Sequence, residues 1–298
     1  MKKWYYALIV FLGGCSYGLL STFVKMAYAA GFSTAHVVAS QYTVGIVFMF
    51  IAYLLSKKVN ITMKRAFQVI VAGLPMGLTG TFYYLSLQTL DASIAIIFLF
   101  QFIWIGSLLE LIFYKKRPSL LTIVSIVILL IGSFLASGFF AAEKSFPPEG
   151  VIWGMLSAFS FAAFIFVSGT VAKELPPIQK SMLISTGGFI TICFIFPPTF
   201  LFDATTFFHI IGYGFFLAFF GVFLPPLLFA IGMPKVGPGL GTILSASELP
   251  VALLMSSLVL GEFVSGLQWF GAIIILLGIV LGNSSFEKSG VRKRQKLV

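Results

Sequence analysis

The chain has 298 residues, of which 59% are hydrophobic and only 9% charged, whereas a soluble domain carries roughly 25% charged and about 45–50% apolar residues. That excess excludes a soluble fold, so the net charge of +10 has to be read from where the basic residues sit rather than as a sign of nucleic-acid binding. At roughly 20 residues per crossing, the apolar runs predict ten membrane helices: 5–28, 34–55, 66–87, 92–114 and 119–140, then 150–171, 181–202, 207–231, 239–260 and 265–282.

The ten stretches fall into two similar groups of five. An odd number of crossings inverts the second copy, and inverted repeats suit a carrier whose halves rock about a central site. The expected fold is therefore all-α and integral to the membrane, with two inverted five-helix repeats. Residues 1–140 form the first repeat, 141–150 a linker, 151–284 the second repeat and 285–298 a basic tail. Pairing Gln101 with Glu248 sets the register between the halves.

Of the 19 basic residues, 17 fall at one side of this layout. They are Lys2, Lys3, Lys57, Lys58, Lys64, Arg65, Lys115, Lys116, Arg117, Lys173, Lys180, Lys235, Lys288, Arg292, Lys293, Arg294 and Lys296. Lys144 lies in an outer loop and Lys25 inside helix one. This asymmetry is the positive-inside pattern, and it places both termini in the cytoplasm of a multi-pass plasma-membrane protein. The tail is either a solvated topology anchor or a strip resting on anionic lipid.

Cys15 and Cys193 both fall inside helices, which gives neither a disulfide framework nor a metal spacing. The stretch around Leu12-Gly13-Gly14-Cys15 resembles a lipoprotein leader, but the apolar run continues to Phe23 and reads as a first crossing. Gly14 and Gly18, Gly73 and Gly77, Gly237 and Gly241, and Gly278 and Gly282 stand four apart, a spacing that lets helices approach closely. Pro75 in helix three and Pro225-Pro226 in helix eight remove helical hydrogen bonds, and their matching places make them candidates for hinges or gates.

Glu248 is the most informative single residue. A charge at mid-bilayer costs on the order of 3 kcal/mol, so the helix must turn it inward. Gly241, Ser245, Glu248, Ala252 and Ser256 then share one small, polar helical face. A carboxyl there can pick up and release a proton, as a proton-coupled step requires; a plain interhelical hydrogen bond is the alternative. Lys25 ends a comparable stripe in helix one and either snorkels to water or meets a substrate carboxylate. Gln101 and Trp104 of helix four, Tyr17 of helix one, Phe161 of helix six and Tyr83 of helix three complete the candidate substrate-binding set. Tyr83 and Tyr84 also fit an interfacial aromatic belt. Glu110 is expected to pair with Lys115.

The absences narrow the chemistry. There is no GxxxxGK[ST] loop for nucleotide hydrolysis and no potassium-type filter. His36, His209, Asp91 and Asp203 all fall near helix ends and form no zinc motif. No catalytic residue, metal, cofactor or nucleic-acid partner is expected.

The close of the chain resembles the EamA-type carriers of the drug/metabolite transporter superfamily. Leu260-Gly261-Glu262, Gln268-Trp269-Phe270-Gly271-Ala272 and Ile275-Leu276-Leu277-Gly278 carry the likeness, and Glu248-Leu249-Pro250 is similar to the family's glutamate–proline step with one residue inserted. Repeat one departs, with Lys115 where the family often has glutamate and Gln101-Phe102 where it often has glutamine–proline. The resemblance implies a ten-helix carrier with a central cavity, peripheral helices five and ten, and commonly export of amino acids or related metabolites. Drug efflux and nucleotide-sugar exchange are the alternatives on the same fold; a membrane-embedded lipid enzyme is the alternative from another class.

Overall fold

A computed structural model describes residues 3–90, 92–139 and 147–295. Asp91, Lys144, most of the expected linker and the end of the basic tail lie outside the described residues, as do the side chains beyond residue 284. The described residues are helical with no strand. Among the described residues nine helical stretches are long and apolar enough to cross a membrane, and the helix expected as the fifth, Leu120–Ala136, is apolar but shorter.

The first crossing is α1 (Lys3–Gly18) and α2 (Leu20–Ala29), followed by α3 (Thr34–Leu55). The third is α4 (Met63–Val71) and α5 (Leu74–Ser86), the fourth α6 (Ala92–Leu99) and α7 (Phe102–Tyr114), then α8 (Leu120–Ala136). The second half opens with α9 (Pro148–Thr170) and α10 (Pro177–Ile195). The next crossing is α11 (Ala204–Leu217), a π-helical segment Ala218–Phe223 and α12 (Leu224–Val236). It is followed by α13 (Pro238–Ser245) with α14 (Glu248–Val259), and by α15 (Gly266–Gln295).

Several ends depart from the sequence expectation for local reasons. Helix seven begins at Pro177 and stops at Ile195, because Pro197 and Pro198 cannot continue it and a 3-10 turn, Thr199–Phe202, follows. Lys180 is thus not a loop residue. It sits in the first turn of α10, 1% exposed, and its Nζ donates to the Ser168 carbonyl near the end of α9 at 2.7 Å. Asp203 caps α11 by accepting from the Thr205 amide at 3.1 Å, so this helix starts earlier than expected. The last helix runs on through Gln295, into the segment expected as a separate tail.

Five crossings are interrupted, and the breaks place the site. In α5, Pro75 occupies the first turn, and a break at residues 72–73 precedes it. In the eighth crossing Pro225 and Pro226 follow the π-segment, which shifts the register so that the Leu224 amide reaches Phe219. Pro226 leaves the Val222 carbonyl without its helical donor, and Ser185 of α10 supplies one at 3.3 Å. Ser16 of α1 does the same for the Phe220 carbonyl at 2.8 Å. In the ninth crossing Pro250 cannot donate to Ala246, so the chain tightens at residues 246–247 and α14 restarts at Glu248.

Packing joins the halves throughout. α1 lies against α12, α13 and α14, α5 against α9 and α10, and α3 against α10 and α11. α8 and α15 run along one another and touch the rest of the bundle through α13 and α14. A Cβ on Gly14 would lie 2.9 Å from the Ser245 Cα, and one on Gly18 would lie 2.8 Å from the Val251 Cβ. The missing side chains let helix one rest directly on the break in helix nine, where Ser247 Oγ donates to the Phe11 carbonyl at 2.8 Å.

Candidate functional site

Helices one, three, six, eight and nine converge with α3 on a cavity of about 70 Å³, well above what a single water needs. Glu248 projects into it from the first position of α14, where the positive end of the helix dipole favours a carboxylate. Its Oε2 is buried and has no hydrogen-bond partner. An unpaired buried carboxylate oxygen costs far more than a satisfied one.

The walls around it are aromatic. Tyr17 meets Phe161 edge-on at 5.6 Å between ring centroids, and Phe161 in turn packs on Phe102 at 4.7 Å and on Phe164 at 6.3 Å. Tyr42, Tyr83 and Tyr84 line the opposite side with Met76, Thr79 and Gly80 of α5. Much of the polar wall is satisfied internally. Tyr42 Oη donates to the Met76 carbonyl at 2.8 Å, Thr79 Oγ1 to the Pro75 carbonyl at 2.7 Å, and Tyr84 Oη to Gln41 Oε1 at 3.4 Å. Gly221 of the π-segment closes the cavity beside the Gln41 amide.

Four of the residues singled out from the sequence meet here: Glu248, Tyr17, Tyr83 and Phe161. The other four substrate-binding candidates, Gln101, Trp104, Ser245 and Lys25, are placed elsewhere. Gln101 donates to the Ile97 carbonyl at 3.0 Å and accepts from Trp104 Nε1 at 2.8 Å, and Trp104 is 38% exposed on the outside of the bundle. Ser245 is fully buried and donates to the Gly241 carbonyl at 2.9 Å. Glu110 pairs with Lys116 at 2.7 Å rather than with Lys115, whose left-handed backbone, φ 51°, ends α7.

The breaks in helices four and nine explain Gln101. α6 ends at Leu99 and α13 at Ser245, while α7 begins at Phe102 and α14 at Glu248. Both pairs put Phe102, not Gln101, opposite Glu248. One residue is a turn of about 100° on a helix, enough to swing a side chain from the cavity to the outside. The carboxyl of one repeat therefore matches a buried phenylalanine in the other.

Lys25 lines a second cavity of about 130 Å³ nearer the end of the bundle, together with Ala252 and Ser256. There its Nζ lies 3.0 Å from Glu262 of the loop before α15, with both side chains partly exposed. Ser256 also donates to Glu262. Partial burial pushes the Glu262 carboxyl up, but the Ser256 and Lys25 hydrogen bonds outweigh it and hold the group below the usual carboxylate range. Tyr83 lines both cavities and stands between them. At the opposite end Arg65 pairs with Glu174 at 2.7 Å, and Gln179 brackets the Val59 backbone at 2.8 and 3.0 Å. Each of these pairs ties one half of the chain to the other.

Gln41, Tyr42, Phe164, Thr79 and Gly221 line the central cavity without having been singled out from the sequence. Gln41 carried a readable signal, an amide in mid-helix within an apolar run. Gly221 carried none, because its place depends on the π-segment. Among the described residues no cluster of His, Cys, Asp or Glu could hold a metal ion.

The fold is shared with a solved structure titled "Crystal structure of protein", at a TM-score of 0.72 and 16% identity, covering 93% of this chain and 98% of the other. A curated relative from Salmonella typhimurium strain LT2, "Uncharacterized inner membrane transporter YicL", is 29% identical over 171 residues. That alignment spans 56% of each chain, so this chain covers about half the length of the relative it matches. The model of the EamA-like transporter family matches residues 4–138 and again residues 148–284, the two halves divided by the expected linker. The chain is therefore a multi-pass membrane protein of the EamA-like transporter family.

Proposed function

We propose that the protein is a secondary active transporter of the plasma membrane, with both termini in the cytoplasm, and that it moves a small organic solute by alternating access through the Glu248 cavity. The charge asymmetry of the connecting segments supports the orientation. The resemblance to EamA carriers suggests export of an amino acid or related metabolite. A nucleotide sugar fits less well, since its diphosphate calls for cationic partners and the cavity presents a carboxyl.

The observation that carries the reading is the unpartnered Glu248 oxygen inside an aromatic-walled cavity to which both halves of the chain contribute. A proton or a substrate group is what such an oxygen lacks, and exchanging one for the other couples solute movement to the proton gradient. Pro75, Pro225 and Pro226 stand at helix breaks beside the cavity, where hinges would let the halves rock.

Purified protein in liposomes, given an imposed pH gradient and a panel of amino acids and amines, tests this. Glu248→Gln keeps the shape and removes titration. The variant should remain monodisperse and still exchange solute, but lose uphill accumulation by about tenfold or more. Uphill transport by Glu248→Gln with unchanged pH dependence would remove Glu248 from the mechanism.

A further inference from the structure

We infer that the solute held in the central cavity is an organic amine: a protonated ammonium on an apolar or aromatic body, with no carboxylate. This rests on the reading of that cavity as the transport site and names its substrate class.

The first argument is charge. Among the described residues Glu248 is the one carboxyl lining the cavity, and no Lys, Arg or His lines it. Four basic residues elsewhere in the bundle are paired: Lys25 with Glu262, Arg65 with Glu174, Lys116 with Glu110, and Lys180 with the Ser168 carbonyl. A substrate carboxylate entering the cavity would be buried beside another carboxyl without a cationic partner, the costly arrangement for a desolvated charge. An ammonium would meet the unpartnered Glu248 oxygen.

The second argument is the backbone of the eighth crossing. Pro225 and Pro226 occupy both positions from which a helical or π-helical amide would reach the Gly221 carbonyl, and the Leu224 amide is spent on Phe219. The neighbouring carbonyls of Phe220 and Val222 are covered by serine hydroxyls. Gly221 itself lines the cavity, and no helical amide competes with an ammonium for its carbonyl. Three of the cavity's hydroxyls, on Tyr42, Tyr84 and Thr79, already donate within the protein, which leaves a carboxylate only the neutral donors of Tyr17, Tyr83 and the Gln41 amide.

The third argument is the walls. The negative ring faces of tyrosine and phenylalanine attract a cation within about 6 Å; they offer an anion nothing. Tyr17, Phe161 and Phe164 form a contiguous edge-and-face cluster on one side of Glu248, suited to an apolar body carrying a positive head.

Three compounds with one body separate the possibilities: phenethylamine, phenylalanine, which adds a carboxylate, and 3-phenylpropionate, which has the carboxylate without the amine. Binding is measured by calorimetry on the full-length protein in detergent. Phenethylamine should bind about tenfold or more tighter than phenylalanine, and phenylpropionate should not bind. Glu248→Gln should lose the amine, whereas Glu248→Asp, which keeps the charge, should retain it; size-exclusion profiles establish that both are folded. Phenylalanine binding as tightly as phenethylamine, absence of amine binding, or amine binding unchanged in Glu248→Gln would overturn the proposal. The flux experiment above stands apart from this result, because a carrier of amino acids would still show uphill transport that depends on Glu248.

Discussion

At the residue scale, the position of Glu248 depends on residues that have no side chain to offer. Gly14 and Gly18 put the backbone of helix one against the turn from which Glu248 projects, and a methyl at Gly18 would press on the Glu248 carbonyl and the Val251 side chain. Nothing flexible stands there to move aside. Gly18→Ala should therefore cost about 1–3 kcal/mol, the usual range for overpacking, and lower the melting temperature of the purified protein. Gly212→Ala, where a Cβ would meet nothing within 4 Å, should leave it unchanged. Equal melting temperatures for the two variants would mean that helix one does not rest on the break in helix nine. The sequence made Glu248 legible through its depth, and Gly14 and Gly18 through their spacing. It misplaced Gln101 by a single residue, because a 100° rotation separates the inside of a helix from its outside and a weak repeat alignment does not resolve one position.

The elements were legible to the extent that composition controls them. The runs 34–55 and 239–260 have the expected extent within a residue or so, whereas helix seven was drawn too far along the chain because Phe196 and Phe200 to Phe202 continue its apolar run past Pro197-Pro198. Breaks were harder to read. Proline marked those at Pro75 and Pro225, but the π-segment before Pro225 has no composition of its own, and helix nine looks continuous until the missing amide of Pro250 is followed back to Ala246. The eighth crossing offers a direct test of whether such breaks serve transport. Pro226→Ala restores the donor that the Val222 carbonyl lacks, in competition with Ser185. If the irregularity is a hinge, the variant should stay folded with an equal or higher melting temperature, while its maximal flux falls by about tenfold. Undiminished flux would make the π-segment a packing feature.

For the whole molecule, two copies of one repeat surround a cavity, and paired charges tie them together at both ends of the bundle, Lys25 to Glu262 at one and Arg65 to Glu174 at the other. Pairs this exposed contribute about 0–1 kcal/mol each, so they can form and part during a transport cycle without threatening the fold. The repeat and the membrane class were legible from hydropathy and charge. The cavity was only half legible, since Tyr42, Thr79 and Gly221 enter it through helix rotation and a register shift that no periodicity records.

The central claim, that the Glu248 cavity opens in turn to each side of the membrane, is tested most directly with one cysteine at Thr79 in a protein whose Cys15 and Cys193 have been replaced. Vesicles of both orientations are treated with a membrane-impermeant thiol reagent, and single cysteines at the exposed Asn60 and Phe263 serve as controls for the two sides. Cysteine at position 79 should be modified from both sides, and bound substrate should protect it, while Asn60→Cys reacts only from the cytoplasm and Phe263→Cys only from outside. Modification at position 79 from one side alone, with both controls behaving as stated, would contradict alternating access through this cavity.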